Sequence, residues 1–321
     1  MKVLVVGATG VVGRVLVPLL AAAGHRVTAA SRSIPATGSG GLVQTRQLDL
    51  LDARAVEALV GELRPDAIVH QATALSGLGN NVRRFDQQFV ATNRLRTEGT
   101  AHLVDAAAAV GSPRLVVQSF CGWTWAPVGG PVKSEDDPLD EHPARSFRQT
   151  LAAIRTLESV VAEHPGGVVL RYGGLYGPGT SLGDGGAQTV AIRKGRLPLV
   201  GSAEGVWSFV HVADAASAAL AALDRGRGTY NVVDDDPAPV HEWLPELARL
   251  VGGPAPRRIP VWLARLVGGE GLVTLMTTAR GSSNARARRE LDWAPRYPSW
   301  RDGFAAELSG SVTTGSRSRH G

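Results

Sequence analysis

Residues 2–13 read KVLVVGATGVVG, an apolar run that ends on Gly7, Gly10 and Gly13. An apolar run this short and unbroken suits a strand buried on both faces of a parallel sheet. Glycine lets the chain turn sharply at the first position, meet a pyrophosphate at the second, and pack helix on strand at the third. The stretch after them, VGRVLVPLLAAAG, has the pattern of a helix closed by Gly24. The opening therefore predicts a strand, a tight turn and a helix N-terminus built to hold a dinucleotide. Gly7, Thr9, Gly10, Val11, Val12, Gly13 and Arg14 are the residues expected against its phosphates.

Working outward, strand and helix patterns alternate. HRVTAASRS is a strand, AVEALVGELRP a helix, DAIVHQAT a strand and TNRLRTEGTAHLVDAAAAVG a long helix. RLVVQSF, GVVLRYGGLYG and GTYNVVDD are further strands, with RQTLAAIRTLESVVAEH and the helix that follows FVHV between them. Such alternation predicts an α/β fold, a doubly wound parallel-sheet Rossmann domain. After Asp236 short helical pieces broken by Pro and Gly take over, which predicts a smaller, mostly helical lobe over the carboxyl edge of the sheet. The expected division is 1–177 with 207–236 for the nucleotide domain and 178–206 with 237–308 for the substrate lobe. The polar stretch 309–321 is expected to be disordered.

Composition narrows the class. The 321 residues are 44% hydrophobic and 20% charged, with a net charge of +5, as in an ordinary globular enzyme. Basic residues are scattered apart from RARRE at 286–290, so no nucleic-acid footprint is expected. Cys121 is the single cysteine, which excludes an intrachain disulfide and a cysteine metal cluster and points to a reducing cytoplasm. Arg14, Pro18 and three glycines interrupt the N-terminal apolar run, so it reads as fold rather than as a secretory signal or membrane span. No metal site is expected, and the chain is expected to be a monomer or homodimer.

The end of the second strand bears on the nucleotide. An acidic residue there would bind the ribose hydroxyls of NAD, whereas AASRS offers Arg32 between Ser31 and Ser33, with Arg14 nearby. A guanidinium pairs with a 2′-phosphate, so NADPH is expected over NADH. Asp49 and Leu50 are expected by the adenine, and Gln71, Ala72 and Thr73 along the ribose and pyrophosphate path.

GATGVVG, LDLLD, IVHQATA, TNRLRTEGTAHLVDAA, LVVQSF, LRYGGLYGPG, FVHVADAASAAL and LDWAPRYPSWRDG, in that order, run almost end to end. In these the chain resembles the extended short-chain dehydrogenase/reductases, the NAD-dependent epimerase/dehydratase family. The resemblance implies that Tyr172, Gly173, Gly174 and Leu175 face the nicotinamide and that Asn93 supports the active site. It also implies a tyrosine acid/base with a lysine four residues later, where the ammonium lowers the phenol pKa. This chain departs from that pattern. Counting back from Glu158 puts Ile154 at the lysine position and Thr150 at the tyrosine position, and no tyrosine precedes Tyr172. The third partner of the family falls at Cys121, with Ser119 two residues earlier. Ser119, Cys121 and Thr150 are therefore candidates to orient a carbonyl, none of them a convincing acid.

Hydride transfer needs chiefly a positioned nicotinamide, so reduction survives this loss if the substrate supplies its own proton. A ketone with a phenol ortho to it would do so. Phe120, Gly122, Trp123 and Trp125 leave the active-site strand, and Tyr176 and Trp207 lie beyond it. Such aromatic walls predict a flat apolar ligand. Arg193 and Arg196 are expected as exposed helix residues. The expected activity is an NADPH-dependent ketoreductase of a polycyclic aromatic, angucyclinone-type polyketide in antibiotic biosynthesis, by likeness to reductases of that kind that lack the pair. The alternatives are a sugar-nucleotide epimerase or dehydratase, which loses most without the tyrosine, and a non-catalytic NADP-binding regulator.

Overall fold

The computed structural model describes residues 1–34, 41–75 and 81–308, so the expectation for 309–321 lies outside the described residues. Seven parallel strands form the central sheet: β1 (Lys2–Val6), β2 (Arg26–Ser31), β3 (Val43–Gln47), β4 (Ala67–His70), β5 (Arg114–Phe120), β6 (Gly167–Tyr172) and β9 (Gly228–Val232). Their order across the sheet is β9-β6-β5-β4-β1-β2-β3, which reverses direction between β1 and β4 and opens a crevice there. Register pairs Val6 with Ala30 and His70, His70 with Val117, and Phe120 with Tyr172. The carboxyl ends of five strands consequently share one edge.

Period-two alternation explains how the sheet holds its two helical layers. Val3, Val5, Val27, Val69, Val116 and Leu170 point to the face covered by α1 (Val11–Ala22) and α7 (Val212–Ala221). Leu4, Val6, Ile68, Leu115, Val117 and Val169 point to the opposite face, covered by α2 (Ala53–Leu63), α4 (Thr100–Ala109) and α5 (Arg148–Glu163). A further core, around Tyr176, Phe209, Trp243, Trp300 and Phe304, joins α8 (Val240–Leu250), the second half of α9 (Val261–Thr277) and α11 (Trp300–Leu308).

Three departures from the sequence pattern have local causes. β3, VQTRQ, carries little apolar signal because it is an edge strand paired only with β2. GVVLRYGGLYG is two strands: after β6 the chain leaves the sheet, and β7 (Gly174–Tyr176) pairs instead with β8 (Phe209–His211). The long helix expected from Thr92 starts earlier, as α3 (Phe85–Arg94), and passes through a π-helical turn, Leu95–Gly99, before α4. No helix among the described residues is long and apolar enough to cross a membrane.

Candidate functional site

The glycine turn after β1 is built for close backbone approach. Gly7 has φ +86, and a Cβ there would stand 2.4 Å from the Ala72 nitrogen. A Cβ on Gly13 would stand 2.3 Å from the Gly7 carbonyl oxygen, so α1 packs onto the turn only through glycine. Gly10 is the N-cap, and no acidic side chain occupies the first turn. The first amides of α1, on Val11, Val12 and Gly13, therefore keep their unbonded donors and the positive end of the helix dipole. The Thr9 hydroxyl donates to Ser31 Oγ at 3.1 Å, tying the turn to the end of β2. Arg14, Arg32 and Ser33 are exposed, and neither arginine is ion-paired among the described residues. These residues fit a dinucleotide phosphate, and the arginines leave room for an extra one.

Other residues expected in the cleft also make contacts within the protein. Leu50 is buried and its side chain occupies the space over Gly99. Asp49 is exposed and accepts the Leu51 amide. Gln71 is buried, and its Nε2 donates to the Tyr172 hydroxyl at 3.1 Å, which in turn donates to the Ala215 carbonyl. The Tyr172 ring belongs to the core beneath α1 and α7, and burial raises its pKa. Its backbone pairs with Phe120, and Gly173, Gly174 and the half-buried Leu175 follow it at the carboxyl edge of the sheet.

Around Thr150 the structure places a run of hydrogen bonds. Arg96 Nη1 donates to Asn93 Oδ1 at 3.1 Å, Asn93 Nδ2 donates to Thr150 Oγ1 at 3.1 Å, and Thr150 Oγ1 donates to Asp86 Oδ1 at 2.7 Å. Asp86 also receives the Gln149 and Thr150 amides, 2.9 Å each, at the start of α5. A hydroxyl has one proton to give, and that of Thr150 goes to Asp86. Ile154, one turn on, is fully buried.

The other two candidates are committed in the same way. Ser119 Oγ donates to Glu158 Oε1 at 2.8 Å, beneath the pair that Glu158 forms with Arg171 (Nε 2.8 Å, Nη2 2.5 Å). The Cys121 thiol donates to the Arg171 carbonyl at 3.3 Å, and burial pushes its pKa up to about 12, so it is a packing residue. Ser119, Cys121 and Thr150, expected to orient a substrate carbonyl, each give their hydroxyl or thiol proton to an internal acceptor.

The aromatic walls are also redrawn. Trp123 stacks on Phe147 (centroids 4.3 Å, 23°), and Phe85 meets both edge-on and stacks on Phe89 at 4.0 Å. Phe120 is partly open, and its ring covers Gly122. Three other aromatics prove structural. Trp125 is buried under the Arg171 guanidinium and donates to Ser282 Oγ at 2.8 Å. Tyr176 is fully buried between His211 and Phe304. Trp207 lies on Trp243 and donates to the Leu275 carbonyl.

Sequence reading missed Asp86, Arg96, Phe85, Phe89 and Phe147. A signal for Arg96 existed: Arg94 and Glu98 pair on the exposed face at 2.7 Å, so the charge between them points the other way.

Residues 3–233 match the NAD dependent epimerase/dehydratase family. The chain belongs to that family. It is 46% identical over 310 residues, 96% of this chain and 100% of the other, to a 3-diazoavenalumate denitrifying reductase from a Streptomyces species. A UDP-glucose 4-epimerase from Thermotoga maritima, solved with UDP-glucose, superposes with a TM-score of 0.73 at 20% identity, covering 98% of this chain and 99% of that one. A second, from Thermus thermophilus in complex with NAD, gives 0.69 at 25% identity over 98% and 100%. This family member is thus an NAD(P)-dependent reductase, an oxidoreductase on the seven-stranded Rossmann-like sheet.

Proposed function

We propose that this chain is an NADPH-dependent reductase that delivers hydride to an electron-poor carbon of a flat aromatic substrate and draws no proton from a protein side chain. The observation that carries this reading is the fate of Thr150: at the position of the family's acid, a hydroxyl gives its only proton to Asp86. A reaction that suits such a site is replacement of a diazo group by hydrogen, the chemistry named for the 46% identical relative. The reduced dinucleotide supplies the hydride; one C–N bond breaks, one C–H bond forms and N2 leaves, with no proton required at the reacting carbon.

The chain's own residues bind and orient. Gly7, Thr9, Gly10 and the α1 amides hold the phosphates, and Arg14 and Arg32 take a 2′-phosphate. Replacing Arg32 by Ala should raise the Kd for NADPH about tenfold to a hundredfold and leave NADH binding nearly unchanged, checked by fluorescence titration. Phe120, the partly open ring at the end of β5, offers an aromatic face backed by the buried Trp123 cluster, and the segments 178–206 and 237–308 close the substrate side. A polycyclic, angucyclinone-type ketone with an ortho hydroxyl is the second reading. It is favoured by the same committed protons, since its own phenol would protonate the alkoxide.

Incubation with NADPH deuterated at the transferred position and an ortho-hydroxy diazo aromatic carboxylate should consume cofactor, release equimolar N2 and leave deuterium on the ring carbon. An ortho-hydroxy polycyclic ketone run alongside distinguishes the two readings by alcohol formation. Gas release without cofactor loss, or no oxidation of NADPH with either compound, would overturn the proposal.

A further inference from the structure

Arg96 is a buried cation without a counter-ion. Its side chain is 7% exposed, and burial pulls its pKa down to about 10. Its hydrogen bond to Asn93 is to a neutral amide, and Phe89 lies 5.9 Å from the guanidinium carbon. Arg96 forms no ion pair among the described residues, and residues 35–40, 76–80 and 309–321 contain neither Asp nor Glu. A buried charge left unpaired is strongly destabilising, and chains keep one where something else completes it.

The local backbone is equally unusual. Arg96 stands within the π-helical turn Leu95–Gly99, a geometry found mostly at functional sites. No neighbouring carboxylate among the described residues pairs with it directly. His70, beside it at the end of β4, is held neutral by burial, with a pKa lowered to about 4. Glu158 acts on it only at a distance and is already taken by Arg171 and Ser119. Asp86 is reached only through Asn93 and Thr150, and the three hydrogen bonds run one way, from cation to carboxylate. That chain keeps the guanidinium aimed and leaves its remaining donors unspent.

We propose that Arg96 is the oxyanion-recognition residue of the substrate pocket: its guanidinium takes one ionised oxygen of an aromatic substrate, phenolate or carboxylate, and so sets which carbon faces the hydride. This rests on the aromatic-substrate reading above, but not on whether a diazo or a keto group is reduced.

The test is calorimetric titration of the NADP+-loaded enzyme with unreactive probes: 4-hydroxycinnamate, its methyl ester, and its 4-methyl ether. Arg96→Gln and Arg96→Lys are compared with the wild type, and thermal melts and NADP+ affinity are measured for each protein. The expected result is a loss of about thirtyfold or more in affinity for the probes that carry the recognised oxyanion in Arg96→Gln. The probe lacking it should bind unchanged, Arg96→Lys should recover part of the loss, and NADP+ affinity should not move. If the methyl ester alone keeps its affinity in Arg96→Gln, the carboxylate is assigned; if the methyl ether alone does, the phenolate is. An equal loss for all three probes, no loss, or a fall in NADP+ affinity instead would overturn the assignment. Failure of the wild type to bind any probe would overturn it together with the aromatic reading. Failure to evolve N2 with probe binding intact would remove only the diazo reading.

Discussion

Thr150 shows how one side chain decides what chemistry remains. Its oxygen accepts from Asn93 and donates to Asp86, so it holds α3 to α5 and has no proton for a substrate. Thr150→Val should therefore lower turnover by less than about tenfold, well short of the 10²–10⁴-fold loss that follows removal of an acid or base. The same change should lower stability by about 1–2 kcal/mol, because Asp86 keeps two amide donors and loses the third. Steady-state kinetics and urea melts on one preparation separate the two effects. A loss of a thousandfold with intact NADPH binding would restore Thr150 as a catalytic residue.

At the scale of elements, the contact between α5 and the two central strands runs through a buried ion pair. Glu158 on α5 bridges Ser119 on β5 and Arg171 on β6, with side chains 10% and 8% exposed for the ion pair. Arg171 Nη1 has no partner among the described residues, although the guanidinium lies over Trp125 at 5.0 Å. Glu158→Gln leaves that cation buried and unpaired, and should cost about 3–5 kcal/mol. Adding Arg171→Met should recover much of it, measured by chemical denaturation as a double-mutant cycle. α1 is held by different means: the close packing of Gly13 on the Gly7 carbonyl, which no larger residue permits.

Across the whole molecule, buried titrating groups bound the stable pH range. His70 has its pKa lowered by burial from 6.5 to about 4, so its contribution to stability is complete above 6.5 and disappears as pH falls towards 4. Asp234, at the end of β9, is raised by burial and by Asp236 and Asp235 from 3.8 to about 8. Its sign is opposite: stability present below 3.8 is lost as pH rises through 8. Asp234→Asn should therefore raise the Tm more at pH 9 than at pH 5. A shift equal at both values would show that Asp234 is ionised in the folded protein.

The sequence alone determined the sheet, its central strands and the glycine turn, because each depends on periodicity or on glycine at fixed spacing, which are local properties. It also showed that no tyrosine is followed four residues later by a lysine, a matter of counting. Tertiary structure decided what stands in their place. The proton of Thr150 goes to an aspartate 64 residues away, and Trp123 is packed into a cluster with Phe85, Phe89 and Phe147. Trp123, Trp125, Tyr176 and Trp207 all look like pocket walls in sequence, and only packing reveals that the first three are buried and that Trp207 lies on Trp243. Hydrogen-bond direction and burial depend on neighbours brought together by folding, and no spacing along the chain encodes them.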